Sequence, residues 1–95
     1  MAVVEIFLNR GISLYEGRLA NYNRLVFEYE SRLSGEDAAE EAYKIINSAT
    51  FELQDDELTI QEEYLANNQE IIASGDVVAI DDVVYICLPV GWKKM

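Results

Sequence analysis

Carboxylates are the chemistry-bearing residues of this sequence, and among their contiguous runs Asp55-Asp56-Glu57 and Asp81-Asp82 are the candidate metal sites. Acids in a row invite a hard cation, but a calcium loop alternates its oxygens and turns on a glycine, as in D-x-[DN]-x-[DN]-G. Neither run has that alternation, so both read as solvated charge, and no metal or cofactor is expected. Paired acids also hydrolyse glycosidic bonds; that chemistry stays open, with no spacing that singles out one pair. Histidine is absent, which removes the commonest general base and the commonest metal ligand together. Ser74-Gly75-Asp76 lacks the flanking glycines of a nucleophile elbow, and no glycine loop is built to cradle a phosphate. No catalytic residue is assigned, and the chain reads as non-enzymatic.

What the acids do together is a different matter. The chain carries a net charge of −11, and the distribution is uneven. Between Glu36 and Asp82 stand fourteen acids and one base, Lys44, while the rest of the chain has four acids and six bases. Such a field repels nucleic acid and membranes and attracts basic surfaces. On a helix, carboxylates at i, i+3 and i+4 stand ~5–6 Å apart, and duplex DNA carries a phosphate every ~3.4 Å along each strand. An acidic face can therefore stand in for a phosphate row and occupy a basic DNA- or RNA-binding groove. Glu36, Asp37, Glu40, Glu41, Asp55, Asp56, Glu57, Glu62 and Glu63 are the residues expected on that face. Simple solubilisation explains the same charge without a partner.

Elements must hold these acids in place. Ala2 to Leu8 alternates, with Val4, Ile6 and Leu8 on one side, and predicts a strand. Asn9-Arg10-Gly11 supplies a turn, and Ser13 to Tyr22 reads as a short helix. Arg24 to Ser31 returns to a period of two, with Leu25, Phe27 and Tyr29 facing the core. The best-marked element is a helix over 36–48: Ser34 caps it with Asp37 at the reciprocal position, and Ala39, Ala42, Tyr43 and Ile46 form its apolar stripe. Glu40 and Lys44 are spaced as an i,i+4 ion pair on its solvated side. Phe51 and Leu53 suit an extended segment, and Thr59 with Glu62 suggests a second short helix to about Asn68. Val77–Ile80 and Val83–Leu88 are the arms of a hairpin turned by Asp81-Asp82. Both arms are apolar on both faces, as in a central strand covered on both sides or one that meets a partner chain. Pro89 should end the ladder. The Gly91-Trp92 pair then either folds back over the core or presents an exposed aromatic.

At 95 residues the chain is a single domain. The expected class is α+β: a small, mostly antiparallel sheet of about four strands with the 36–48 helix and one or two short ones. The single cysteine, Cys87, falls inside an apolar strand, which suits a buried thiol in a reducing compartment. Neither a leader nor a membrane-spanning run is recognised, so a cytoplasmic location is expected.

The stretch S-G-D-V-V-A-I-D-D-V-V-Y-I-C-L-P-V-G-W, from Ser74 to Trp92, resembles the YodL-like domain family of small phage and plasmid proteins. Their C-terminal motif runs S-V-G-D-V-V, an acidic turn, Y-x-C and G-W. Glu40 to Asn47, E-E-A-Y-K-I-I-N, is similar to the helix those proteins place upstream. The sequence departs from the pattern at Ala73-Ser74, where a fuller S-x-S-x-G-D is usual, and at Asp82, where a turn glycine is usual. The resemblance implies a fold and a mobile-element setting, and no catalytic residues. Together with the acidic segment it leads to the expectation of a host-defence inhibitor: an anti-CRISPR or anti-restriction DNA mimic that binds a host protein with a basic nucleic-acid-binding surface. The alternative is an interaction module that dimerises or binds a partner through the apolar hairpin and Trp92.

Overall fold

The computed structural model of the chain describes residues 1–8 and 24–95. The turn expected at 9–11 and the short helix expected over 13–22 lie outside them. Five strands, β1 (Ala2–Leu8), β2 (Arg24–Ser31), β3 (Val77–Ile80), β4 (Val83–Cys87) and β5 (Trp92–Lys94), form one sheet in the order β2-β1-β3-β4-β5. Every neighbouring pair is antiparallel. Two helices, α1 (Gly35–Asn47) and α2 (Asp55–Asn67), complete the α+β architecture.

The alternation of β1 places Val4, Ile6 and Leu8 in the core, where they meet Tyr29 and Phe27 of β2 and Ile80 and Val78 of β3 by register. A shift in register between Ile6 and Phe7 changes the partnering at the start of β2, and Leu25, expected inside, is exposed there. Helix α1 lays Ala38, Ala39, Ala42, Ile45 and Ile46 over this face. Its three alanines leave little bulk between helix and strands, and a fully buried isoleucine such as Ile6 or Ile45 contributes ~1.5–3 kcal/mol. Tyr43, expected in the stripe, instead lies at its margin and stacks edge-on to Trp92 at 6.3 Å. Val77, Ala79 and Ile86 on the other side of the hairpin are buried as well, as expected for strands apolar on both faces.

The Asp81-Asp82 turn has φ of +49° and +70°, the two left-handed residues that a type I′ hairpin requires. Asp81 does more than turn the chain: its amide donates to Val3 O at 2.9 Å, and its Oδ1 accepts the Val3 N–H at 2.8 Å. Pro89 does interrupt the ladder, but pairing resumes beyond it. Leu88 N–H donates to Gly91 O at 3.0 Å and Gly91 takes φ +78°, so the chain reverses and Trp92 pairs with Cys87. Burial, then the charges of Asp76 and Glu40, push the Cys87 thiol above its ordinary range.

Three local expectations are corrected. Ser34 is the N-cap of α1 but its side chain makes no capping bond; Gly35 follows it at φ +56°, and it is the Ser34 carbonyl that accepts the Ala38 N–H, at 3.4 Å. Phe51 sits in a 3-10 turn, Thr50–Glu52, rather than in an extended segment. Helix α2 begins four residues before Thr59, because Asp55, Asp56 and Glu57 in its first turn complement the helix dipole. Glu57 Oε1 accepts the Gln54 N–H at 3.2 Å, while the Thr59 hydroxyl bonds back to Asp55 O at 3.1 Å as an interior residue.

Candidate functional site

The acids converge where the end of β2, the middle of α1 and the first turn of α2 meet. A groove of about 950 Å³ opens there, with Glu30, Glu41, Asp55, Asp56 and Glu57 on its walls against Arg32 and Lys44. Asp37 and Glu40 line a hollow alongside it that shares Glu41, Lys44 and Glu57.

Amide side chains, Gln61 buried and Asn47 and Asn68 half-buried, tie together the elements that carry the walls. Gln61 of α2 donates from Nε2 to Ile45 O at 3.0 Å and Ser48 O at 2.8 Å, and its Oε1 accepts the Thr50 hydroxyl at 3.1 Å. It thereby satisfies carbonyls that the last turn of α1 leaves without an intrahelical donor. Asn47 makes two bonds to the Ile72 backbone, donating to its carbonyl at 2.7 Å and accepting from its amide at 2.9 Å. Asn68 Nδ2 reaches Val26 O at 3.1 Å, and Tyr64 meets Phe27 edge-on at 5.5 Å, so α2 is tied to β2 as well as to α1.

Within the groove the Glu41 carboxylate is held by two hydroxyls of β2. Its Oε1 accepts the Ser31 hydroxyl at 2.7 Å and the Tyr29 hydroxyl at 3.3 Å. Ser31 Oγ in turn accepts the Leu33 N–H at 2.9 Å, which fixes the chain between β2 and α1. Burial, then the charge and hydrogen bond of Glu41 and the charge of Glu57, hold the Tyr29 phenol protonated well above its usual range. Lys44 does not serve Glu40 as its spacing suggests; its ammonium lies 3.0 Å from Glu57 of α2. That hydrogen bond and the Gln54 N–H hold the Glu57 carboxyl below its ordinary range. The pair is partly solvated and is worth no more than ~1 kcal/mol.

Of the residues expected on an acidic face, Asp37, Glu40, Glu41, Asp55, Asp56 and Glu57 are thus brought together. Glu36 is exposed in the first turn of α1, and Glu62 and Glu63 are exposed further along α2, outside the groove. Trp92 is half-buried and packs against the core. Glu30, Ser31, Arg32, Tyr29 and Lys44 were not anticipated as part of the site. For Tyr29 and Ser31 a signal was present: the period of two that turns Phe27 inward reaches both.

The arrangement presents five carboxylates against two cations, Arg32 and Lys44, an excess of negative charge suited to positive groups. Among the described residues no three His, Cys, Asp or Glu side chains are placed to hold a metal ion, and no helix is long and apolar enough to cross a membrane. No family model, curated protein or solved structure matches the chain.

Proposed function

We propose that this protein is a non-enzymatic inhibitor that seats its acidic groove on the nucleic-acid-binding surface of a host protein and blocks it. Anti-CRISPR or anti-restriction action by DNA mimicry is the concrete form, in the mobile-element setting that the Ser74–Trp92 resemblance implies. The observation that carries the reading is the convergence of Glu41 from α1 and Asp55, Asp56 and Glu57 from α2 on one groove. These acids, far apart in sequence, stand on two helices that the Gln61 amide ties together rather than on loops. A basic surface evolved to release counterions from phosphates gains the same release from such a face, and nucleic acid itself is repelled. The dimerising alternative draws less support, because β3 is an interior strand of its own sheet and Trp92 is committed to Tyr43.

Affinity capture from host lysate at low and at high salt tests the proposal. Basic nucleic-acid-handling proteins should be retained at low salt, released as salt rises, and displaced by duplex DNA. Recovery of no such protein would sink the reading. A variant with Glu41→Gln, Asp55→Asn and Asp56→Asn should lose the capture while staying folded.

A further inference from the structure

We infer that the partner's surface is not basic alone but carries an apolar socket that receives Phe51, so that the contact runs from the groove over the Thr50–Glu52 turn. The inference rests on the basic-partner reading above and extends it. Phe51 is 90% exposed, yet the turn that carries it is built rather than loose. Glu52 N–H donates to Ala49 O at 2.9 Å, Leu53 N–H donates to Thr50 O at 3.2 Å, and the Thr50 hydroxyl is bonded to the buried Gln61 at 3.1 Å. Leu65, one helical turn beyond Gln61, is 49% exposed. Glu52 and Asp55, exposed as well, follow Phe51 closely in the chain.

An aromatic ring held out by its own backbone, among acids, narrows the possible occupants. A second copy would bring two chains of net charge −11 together at their acidic sides, which is repulsive. An anionic lipid surface is repelled by the same carboxylates. Val90, nearly as exposed as Phe51, is a different case, because Lys93 and Lys94 follow it in the chain. What remains complementary to Phe51 is a protein surface that is apolar at one spot and basic around it, the arrangement in which an aromatic anchor carries most of an interface's affinity.

Two fluorescent helical peptides of equal positive charge test this by anisotropy, one with arginines and a leucine face, the other with arginines and glutamines. The leucine peptide should bind ~10-fold or more tightly than the glutamine peptide, the effect of seating one apolar side chain. Phe51→Ser should abolish that advantage and leave the glutamine peptide's affinity unchanged, with the melting temperature unmoved because the ring is solvated. Equal binding of the two peptides to the wild-type chain, or an advantage that survives Phe51→Ser, would overturn the inference while leaving the basic-partner reading standing. Binding of neither peptide overturns both.

Discussion

Replacing Gln61 by leucine tests whether the joint between α1 and α2 is polar by necessity. The leucine is close in volume, so the change leaves packing nearly intact and removes hydrogen bonds. Ile45 O and Ser48 O lose the Nε2 donor that lies 3.0 and 2.8 Å away, and the Thr50 hydroxyl loses its acceptor. Thr50 is exposed and recovers a water, whereas Ile45 is fully buried and Ser48 half-buried. A buried carbonyl left without a donor costs ~1–3 kcal/mol; with one such group fully enclosed and one partly so, the loss should be ~2–4 kcal/mol. A domain of this size is stabilised by only ~5–15 kcal/mol in all, and its melting temperature falls by ~4–8 °C for each kcal/mol. The variant should therefore melt ~8–32 °C lower. Urea unfolding at equilibrium, followed by circular dichroism, measures the free energy directly, and an unchanged denaturant slope would confirm that the native state alone was affected. Unfolding within ~0.5 kcal/mol of wild type would refute the reasoning and mean that water replaces the amide. The groove should suffer with the joint, since Lys44 and Glu57 face each other across the same pair of helices.

Asp82→Gly should stabilise the chain by ~0.5–1 kcal/mol, because glycine adopts φ +70° without the penalty of a side chain; a loss in urea unfolding would contradict this. Glu5 is raised above its ordinary value of 4.5 by burial, then by Glu28 and Asp82, and Glu28 stands directly opposite it on β2. Folding thus favours its protonated form. That contribution is complete below pH 4.5 and is lost as pH rises through the raised value. Glu5→Gln should accordingly be the more stable protein at pH 7, with its advantage shrinking on acidification; an advantage that persists or grows at low pH would refute the assignment.

Much of the fold was legible because period-two alternation is a direct consequence of burying one side of a strand. Val4, Ile6 and Leu8 declared β1, and the hairpin arms were bounded by the only residues between them able to turn. The errors were local and share one cause. Asp55-Asp56-Glu57 read as solvated charge, when the same acids at a helix start are a winding signal, so α2 was begun at Thr59. Pro89 read as the end of the sheet, although a proline outside the ladder leaves the strand beyond it free to pair. The groove was legible as composition but not as place. Which of nine acids would share a wall depended on how α2 crosses α1, and that crossing is set by Gln61, a polar residue with no periodic signature. Glu62 and Glu63 satisfy the same sequence pattern as Asp55 and Asp56 and fall outside.

The order of the sheet also governs how the chain can fold. Strand β1 lies between β2 and β3, and Val3 is bonded to Asp81, 78 residues later. During synthesis β1 therefore waits for β3, which at ~5–20 residues per second is ~4–16 s. Over that interval β1 and β2 form only a two-stranded ribbon, marginal in water by itself, until α1 and α2, made before β3, arrive to cover its apolar face. Completion of the sheet is bound to be late and dominated by distant contacts, so refolding should be slow for a protein this small, on the millisecond-to-second scale of β-rich domains.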